Sequence, residues 1–509
     1  MPSKELTLTD LIAIIKRVRP NADVALIERA YAFADAAHKG QLRMSGEPYI
    51  IHPLYTAMYL AEMHATDNII AAGLLHDVAE DTPITLEEIR KSFGDDIAGM
   101  VNGICKVGKI KYRGVDRYIE NLRKMFMAMA NDVRVMVIKF ADRLHNLETL
   151  DCIPQKKAYR IALESLEIYA PIANRLGMGE IKGKLEDAAF KWVLPKEYQW
   201  TLELATKSAQ NKTLQIQKII EQTKDDLTQS GIPYVDVHGR HKHLYSLYKK
   251  LLKYNRDITK IHDFTAIRCI MPTMADCYAA LGVIHSQWTP LKGRIKDYIS
   301  QPKPNGYQSL HTTVFYDRGA IVEFQFRTKE MHEAAEFGIA AHWAYDEAGK
   351  DTANAKPNIN AQQELDWIDQ FAKTQTSIKD KKEFLAELEE MKVDVFNDRI
   401  YVYTPKGDVI ELPEESTPID FAYAIHTEIG NTCIAAKVND AIHPLDQPLK
   451  SGDIVEVVTD KNRKGPSPDW LKFAKTQNAK SKIRQYARAS LATWIKDVIP
   501  TAIRKKNKN

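Results

Sequence analysis

The sequence contains little cysteine, and none of it is arranged in a motif. Five cysteines stand far apart, and no C-x-x-C occurs anywhere in the chain. This spacing argues against a disulfide framework and against a cysteine zinc site, and it is typical of a reducing cytosol. The cysteines are Cys105, Cys152, Cys269, Cys277 and Cys433.

Long hydrophobic runs are absent as well. No segment approaches the roughly 18 consecutive apolar residues that a membrane helix needs. The first apolar run, at residues 11–15, is too short for the hydrophobic region of a signal peptide. We therefore predict a soluble, cytoplasmic protein that makes no contact with a membrane.

Glycine and proline are sparse, at 23 and 22 of 509 residues, while 44% of the residues are hydrophobic and 27% are charged. This composition is typical of globular protein, and the length predicts about three or four domains at roughly 100 to 200 residues each. The formal net charge is +4, but residues 460–509 carry 14 Lys or Arg and 3 Asp or Glu, a net of +11 that leaves −7 for the rest. A basic terminus on an acidic body favours contact with nucleic acid.

Patterns along the chain predict several domains. Apolar residues at helical spacing, such as Leu122, Met125 and Met129, dominate the N-terminal third. Short strand-like runs then alternate with amphipathic stretches, and a later block combines short strands with turn signals. We predict an all-α domain, an α/β domain entered by a connecting helix, a linker with a connecting helix, a small β domain and a basic helical tail, over residues 1–195, 196–345, 346–393, 394–459 and 460–509.

The segment AAGLLHDVAED, residues 71–81, concentrates ionisable groups on an otherwise apolar stretch. As a single helix it would place His76 over Glu80 and Asp77 over Asp81. Carboxylates crowded in this way repel one another, so a divalent metal is the simplest cation to hold them together.

Two further segments offer metal ligands. His52 precedes a proline at a predicted helix start, and Asp142, Asn146 and Thr149 share one helix face at i, i+4 and i+7. Together with the previous segment they supply a mixed nitrogen and oxygen set, which suits manganese or a similar octahedral metal better than structural zinc. The alternative is that these side chains are salt bridges between packed helices. The predicted ligands are His52, His76, Asp77 and Asp142.

The segments GEPYIIHP, LLHDVAED and FADRLHNL closely resemble the HD-type hydrolase domain of the RelA/SpoT homologue family, which makes and degrades the alarmones ppGpp and pppGpp. The resemblance implies that the four ligands above bind the metal. It also implies that Glu80 and Asp81 handle the attacking water and the proton transfer that remove pyrophosphate from the 3′ position. The implied nucleotide contacts are Arg43, Asn146 and Thr149. Met44 departs from the family, which usually has lysine there, and the missing cation is expected to weaken phosphate binding.

A second constellation lies in the α/β region. The stretch GRHKHLYSLYKKLLKYNR is rich in cations, and by itself it is equally compatible with a solvated helix face. Asp263 and Glu323 are acids on strand-like runs beside a basic loop, an arrangement that suits magnesium-dependent phosphoryl transfer. Tyr307, in a glycine-containing loop, can stack on a base or simply pack within the loop.

These stretches resemble the family's synthetase domain, which has a nucleotidyltransferase-like fold and moves pyrophosphate from ATP to the 3′ hydroxyl of GDP or GTP. The resemblance implies that Asp263 and Glu323 bind Mg²⁺, that Glu323 helps to activate the hydroxyl, and that Tyr307 stacks on guanine. The implied ATP side is Arg240, Lys242, Ser246 and Lys250, and the implied guanine side is Lys296, Lys303, Asn305, Tyr307 and His311. The Arg294-x-Lys296-Asp297 motif is similar to that of bifunctional members, and His241 replaces a common proline.

Residues 394–459 resemble the TGS domain, a small β-grasp module. In long members of the family it contacts the 3′ end of deacylated tRNA on the ribosome, which implies an RNA-binding role for His426; the alternative is a structural histidine. Aromatic residues interleave with cations in the tail and are expected to stack on RNA bases, unless they form the core of a terminal helix packed on the β domain. These aromatic residues are Trp470, Phe473, Tyr486 and Trp494.

The sequence as a whole predicts a bifunctional enzyme that synthesises ppGpp or pppGpp and hydrolyses it, with Mn²⁺ at one site and Mg²⁺ at the other. Two alternatives stay open: an enzyme dominated by hydrolysis, and a non-catalytic regulator that binds tRNA or ribosome and uses its nucleotide sites as sensors. Long family members carry further domains, and the sequence leaves open whether this chain is short by nature or part of a longer protein.

Overall fold

The computed structural model of the chain describes residues 6–108, 115–257, 265–303, 305–316, 320–341, 343, 399–450, 452–460, 462, 463 and 465–498. The chain divides into two compact units, Met1–Ser377 and Ile378–Asn509. The predicted linker, residues 346–393, lies outside the described residues. In the part of the chain that is described, no helix is both long and apolar enough to cross a membrane.

The first unit opens with helices alone, which confirms the predicted all-α region. Thr7 and Asp10 form a capping box at the first helix, whose Leu11 and Ile15 are buried. The helices are α1 (Leu8–Val18), α2 (Val24–Ala37), α3 (Ile51–Glu62), α4 (Asp67–Leu75), α5 (Val78–Asp81), α6 (Leu86–Gly108), α7 (Val115–Asn131), α8 (Arg134–Glu148), α9 (Gln155–Glu164), α10 (Ala170–Arg175) and α11 (Gly179–Val193). Helix α3 packs against α4 and α8, and this contact places His52 of α3 and His76, which follows α4, beside Asp142 of α8.

The prediction of one helix over residues 71–81 is wrong. Helix α4 ends at Leu75, and the short helix α5 begins at Val78. The His76 ring donates from Nδ1 to the Gly73 carbonyl oxygen at 2.7 Å, the acceptor that residue 77 would use in a continuous helix. This side-chain bond competes with the backbone ladder and turns the chain at the two residues that are predicted as metal ligands.

A long helix, α12 (Pro195–Gln229), leads into the mixed α/β part, where a connecting helix is predicted. Among the described residues, the sheet has five strands in the order β1-β2-β5-β4-β3, in which β2 and β5 run parallel and the other neighbours antiparallel. Phe324 and Phe326 are fully buried at its centre. The elements are β1 (Asp236–His241), α13 (Leu244–Lys253), β2 (Thr265–Met271), α14 (Met274–Gln287), β3 (Lys296–Asp297), β4 (Leu310–Tyr316), β5 (Ala320–Thr328) and α15 (Lys329–Phe337).

The sheet part meets the helical part through the backbone at the end of α15. Gly338 has φ +52°, and a Cβ atom at this position would lie 2.1 Å from the Leu176 carbonyl oxygen. Ile339 donates its N–H to the same oxygen at 3.2 Å. Only glycine permits so close an approach together with a positive φ.

The second unit contains a small β domain, as predicted. A two-stranded sheet pairs β6 with β7, and a three-stranded sheet has the order β10-β8-β9. The elements are β6 (Arg399–Tyr403), β7 (Val409–Pro413), α16 (Pro418–Ile425), α17 (Thr427–Thr432), β8 (Cys433–Val438), β9 (Ala441–His443), β10 (Val455–Thr459) and α18 (Gln477–Val498).

The expectation that the tail aromatics are exposed for RNA is wrong for Trp470. Its side chain is 6% exposed and packs with Tyr423, Cys433 and Ile483 in one core. Phe473 is partly buried against the same core, whereas Tyr486 is 37% exposed. The first part of the tail therefore completes the core of the β domain; the side chain of Trp494 lies outside the described residues.

Hydrogen bonds to the side chain of Asp420 connect the tail to the β domain. Its fully buried carboxylate accepts hydrogen bonds from the backbone N–H groups of Thr417, Lys475 and Thr476 at 2.7–2.8 Å. We expect Asp420→Asn to destabilise the second unit by about 3 kcal/mol, because an amide NH₂ must face an N–H donor. Hydrogen exchange of residues 433–438 in the full chain should accelerate accordingly. Asp408→Asn, at an exposed turn, should leave it unchanged; equal exchange in both variants would refute the role of Asp420.

Candidate functional site

Three predicted metal ligands converge between α3, α4 and α8. Ligand atoms of His52, His76 and Asp142 all lie within 4.8 Å of one another, and the three side chains are 1–5% exposed. His52 Nε2 is 3.1 Å from Asp142 Oδ1 and 3.5 Å from Asp77 Oδ2. The fourth predicted ligand, Asp77, therefore borders the same cluster.

The donor set fits a divalent metal ion. In the neutral ring of His76, donation from Nδ1 to Gly73 leaves the lone pair on Nε2. That nitrogen is buried and makes no hydrogen bond, although it lies 3.2 Å from Asp77 Oδ1. A buried, unpartnered imidazole nitrogen facing two carboxylates is the geometry that a cation with nitrogen and oxygen ligands would satisfy.

The electrostatics keep both carboxylates ionised. Burial alone would raise the pKa of Asp77, but positive charge on the His76 and His52 rings, which a bound cation would replace, holds that pKa well below its ordinary value. Asp142 is also buried, and Lys139, with Nζ 2.8 Å from Asp142 Oδ2, holds the pKa of this acid well below its usual range. Lys139 was missed by sequence reasoning, because an i, i+3 pair on α8 looks like an ordinary surface ion pair.

Tyr49 connects the metal cluster to the predicted proton-transfer acids. Its hydroxyl donates towards Asp81 Oδ2 at 2.7 Å and Asp77 Oδ2 at 3.0 Å. Burial raises the pKa of Tyr49 well above its ordinary value, so the phenol keeps its proton. Glu80 is half-buried on the same turn, and Asp81 is exposed.

The predicted nucleotide contacts line a cavity of about 160 Å³ beside this cluster. Arg43, Asn146 and Thr149 face it, and Met44 stands at its rim, 68% exposed. Lys157, from α9, lines the same cavity. It provides a positive charge in the cavity, although residue 44 is a methionine where the family usually has lysine. No motif in the sequence links α9 to this loop, so Lys157 could be found only from the fold.

In the sheet part, two of the residues predicted to bind the guanine nucleotide lie close to Glu323. His311 Nδ1 lies 3.2 Å from Glu323 Oε1, and the Tyr307 hydroxyl is 2.9 Å from His311 Nε2. Burial by itself raises the pKa of Tyr307, but His311 and Arg327 bring that pKa down to about 8. Asp263 lies outside the described residues, so its assignment stays a prediction.

The remaining guanine-side residues surround Tyr307. Lys303 Nζ lies over the Tyr307 ring, 5.6 Å from its centroid. Lys296 on β3 pairs with His311 on β4 in the sheet. Asn305 donates to the Asn174 carbonyl oxygen of the helical part at 3.2 Å. The fold therefore gathers the whole set, although the separate role of each residue stays a prediction.

The residues predicted to bind ATP do not all face the same part of the structure. Arg240 lies on β1 opposite Ala266 of β2, and Lys242 and Lys250 are half-buried. Ser246 differs, because its hydroxyl donates to Glu186 of α11 at 3.3 Å and faces the helical part. The side chain of His241 lies outside the described residues.

Two buried arginines of the sheet share one acidic partner. Arg327 on β5 is fully buried, and Arg268 on β2 is 5% exposed. Both donate to Glu336 Oε1, at 2.7 and 2.9 Å, and burial lowers the pKa of Arg268 to about 10. Sequence reasoning does not find Arg268, because nothing in the sequence around an arginine in an apolar strand indicates which distant acid it pairs with.

His243 and Asp187 join α13 to α11. His243 Nδ1 donates to Asp187 Oδ2 at 2.9 Å, and the Tyr245 N–H donates to Asp187 Oδ1 at 2.9 Å. Burial opposes the charged imidazole, but Asp187 and Glu180 raise the pKa of His243 to about 9. Since α13 carries Ser246 and Lys250, this pair holds the helix of the predicted ATP side.

We expect this pair to weaken at alkaline pH. A histidine whose pKa is raised on folding stabilises fully below about 6.5 and loses that contribution as pH rises through about 9. The stability lost in His243→Gln should therefore fall from about 2–3 kcal/mol at pH 6 to near zero at pH 9.5. Urea unfolding at both values measures it. His285→Gln is the control, because burial lowers the pKa of His285, which faces Thr312, and any loss in this variant should not shrink towards pH 9.5. A pH-independent loss in His243→Gln would contradict the argument.

In the second unit, His426 is exposed at the start of α17. Its Nδ1 accepts the Glu428 N–H at 3.3 Å and caps this short helix. His426 therefore has the structural role that the sequence analysis gives as its alternative. Because the residue is also exposed, an RNA-binding role stays a prediction.

Three known domain families match this chain. An HD domain matches residues 30–179, a region found in RelA/SpoT proteins matches residues 239–350, and a TGS domain matches residues 400–459. The matches follow the order of the helical part, the sheet part and the β domain described above.

Relatives match along nearly the whole chain. A GTP pyrophosphokinase of Myxococcus xanthus is 45% identical over 93% of this chain and 61% of its own length. A guanosine-3′,5′-bis(diphosphate) 3′-pyrophosphohydrolase of Aquifex aeolicus is 46% identical over 90% of this chain and 64% of its own length. A bifunctional (p)ppGpp synthase/hydrolase SpoT of Escherichia coli is 44% identical over 93% and 66%.

The chain thus spans less than two thirds of the length of these relatives. The HD domain, the RelA/SpoT region and the TGS domain occur here in one chain and in this order. The chain belongs to the RelA/SpoT family.

Proposed function

We propose that this chain is a bifunctional alarmone enzyme. It transfers pyrophosphate from ATP to the 3′ hydroxyl of GDP or GTP, and it hydrolyses ppGpp or pppGpp back to GDP or GTP and pyrophosphate. The observation that carries the proposal is the buried cluster of His52, His76 and Asp142, together with a second acidic site at Glu323. Relatives named for each activity support it.

For hydrolysis, the cluster would hold Mn²⁺ through His52, His76, Asp77 and Asp142. Bound there, the metal supplies Lewis-acid activation of the attacking water. Tyr49 keeps the Asp81 carboxylate turned towards the cluster, so Asp81 and Glu80 can take the proton of that water. Arg43 and Lys157 supply positive charge for the phosphates, and the cavity beside Asn146 and Thr149 accepts the nucleoside.

For synthesis, Glu323 and Asp263 would hold Mg²⁺, which neutralises charge on the ATP phosphates. The 3′ hydroxyl attacks the β-phosphorus of ATP, AMP leaves, and Glu323 assists removal of the hydroxyl proton. Lys303 and His311 lie around Tyr307, where the guanine base would stack. Arg240, Lys242 and Lys250 would bind the polyphosphate of ATP.

Two reactions test this proposal in one preparation. The purified protein should convert labelled ATP and GDP to ppGpp with Mg²⁺, and in a separate mixture it should release pyrophosphate from ppGpp with Mn²⁺. Pyrophosphate release without synthesis would favour the hydrolase-dominant alternative. Binding of both nucleotides without any product would favour the non-catalytic regulator.

We further propose that the second unit binds RNA, with the 3′ end of deacylated tRNA on the ribosome as the expected partner. The exposed His426 and the net charge of +11 over residues 460–509 support it. Removing this whole segment is not a clean test, because Trp470 and Ile483 belong to the core of the β domain.

Charge substitutions test the RNA proposal instead. Replacing Lys482 and Arg484 by serine should weaken tRNA binding and flatten its dependence on salt by about two phosphate contacts. His426→Asn keeps a side-chain acceptor for α17 but removes the imidazole, so it should weaken binding only to tRNA with a free 3′ end. Filter binding between 50 and 300 mM salt, roughly the range over which phosphate contacts weaken, measures both. Unchanged affinity and slope in both variants would exclude this surface.

A further inference from the structure

His145 lies between the metal cluster and the nucleotide cavity, and neither the family motifs nor the sequence assigns it a role. The residue is 3% exposed on α8 and stacks on Tyr55 with ring centroids 4.7 Å apart. Its Nδ1 lies 2.8 Å from His52 Nδ1 and 2.8 Å from Arg43 Nη1. One nitrogen therefore contacts both a metal ligand and a predicted nucleotide contact.

The contact with Arg43 determines which ring nitrogens of His145 and His52 carry a proton. A guanidinium nitrogen can only donate, so His145 Nδ1 must be the unprotonated acceptor. The hydrogen bond between the two histidines then requires that His52 Nδ1 carries its proton. His52 Nε2 is left with the lone pair, and this is the atom that faces Asp142 at 3.1 Å.

A second arm of Arg43 reaches the other side of the cluster. Arg43 Nη2 donates to Asn146 Oδ1 at 2.9 Å, and Asn146 Nδ2 donates to Asp142 Oδ1 at 2.5 Å. The Asn146 amide is thereby oriented with its NH₂ group on the carboxylate. Arg43 thus sets the hydrogen-bond direction at two metal ligands, through His145 for His52 and through Asn146 for Asp142.

We propose that His145 is a positioning residue of the hydrolase site, which accepts hydrogen bonds from His52 and Arg43 and so fixes His52 in the tautomer that presents Nε2 to the metal. The inference rests on the proposed function of the cluster. Partners of this kind change metal affinity by roughly 10–100-fold when they are lost. Since Arg43 shares the same acceptor, the loss should also disturb the binding of ppGpp.

Two substitutions separate the acceptor from the ring. An asparagine side chain carries its Oδ1 on Cγ, as histidine carries Nδ1, so His145→Asn keeps the acceptor close to its place. His145→Leu puts a methyl group there and leaves His52 Nδ1 and Arg43 Nη1 without this partner. Both are made in a Glu323→Gln background, so that the sheet site does not add a second metal site to the titration.

Mn²⁺ binding to the full chain without nucleotide is measured from the electron paramagnetic resonance signal of free Mn²⁺. His145→Leu should bind Mn²⁺ about 10–100-fold more weakly, and His145→Asn should recover affinity to within about threefold of the parent. The Michaelis constant for ppGpp should rise in His145→Leu and return in His145→Asn.

A folded His145→Leu protein with the parent's Mn²⁺ affinity would overturn the inference. So would a His145→Asn protein as weak as His145→Leu, because the ring and not the acceptor would then matter. Absence of Mn²⁺ binding in the parent would overturn the metal centre itself and the inference with it. Thermal unfolding of each variant identifies a protein that has lost its fold.

Discussion

Replacing Asp77 by alanine should abolish hydrolysis of ppGpp, with a loss of at least about a thousandfold, and should leave synthesis within about twofold. The carboxylate lies 3.2 Å from His76 Nε2 and 3.5 Å from His52 Nε2, and it accepts from Tyr49. Its removal takes away a ligand and also one partner of the phenol that orients Asp81. Pyrophosphate release from ppGpp under Mn²⁺ measures the effect.

The matched control is Asp95→Ala, an aspartate of the same helical part whose side chain is 93% exposed and pairs with Arg90. Both of its activities should equal those of the parent. Stripping the parent with a chelator should reproduce the Asp77→Ala result, and added Mn²⁺ should reverse the loss. Full hydrolysis by the stripped protein, or by Asp77→Ala itself, would refute the metal centre.

Replacing Glu323 by glutamine should reduce synthesis by about a hundredfold to a thousandfold and spare hydrolysis. The two side chains have the same shape, so the change removes charge and leaves packing intact. Glu323 Oε1 lies 3.2 Å from His311 Nδ1 and accepts from Gln325 at 2.9 Å. An amide oxygen can keep both contacts, so a loss of synthesis would report the missing charge. Formation of ppGpp from ATP and GDP under Mg²⁺ measures the loss.

Glu330→Gln provides the control for charge, since this glutamate is exposed on α15. It should synthesise at the rate of the parent. The two principal variants also control for each other. Asp77→Ala should lose hydrolysis and keep synthesis, whereas Glu323→Gln should lose synthesis and keep hydrolysis. Synthesis by Glu323→Gln within about twofold of the parent would remove this residue from the reaction.

The side chains of the candidate metal site can be predicted from the sequence because their spacing is local. His76 and Asp77 are adjacent, and Asp142 shares a helix face with Asn146, so each motif can be read within one or two turns. The break between α4 and α5 is not predictable in this way. It depends on a hydrogen bond from the His76 side chain to Gly73, which helical periodicity does not encode.

Residues that position the ligands are harder to find, because their partners come from distant segments. His145 meets His52 across 93 residues of chain and Arg43 across 102. Lys157 reaches the nucleotide cavity only because α9 folds against the end of α8. For the tail, charge and aromatic content suggested RNA, whereas the burial of Trp470 is decided by the apolar face that the β domain offers.

The close backbone contact at Gly338 has a consequence for anyone who wishes to divide this protein. Family boundaries place a cut after residue 179 and a restart at residue 239. Such a cut would sever the Leu176 contact of Gly338, the Asn174 contact of Asn305 and the Asp187 cap of α13. A fragment designed to carry pyrophosphate transfer alone should therefore begin before Asn174, so that this loop and α11 remain attached to the sheet.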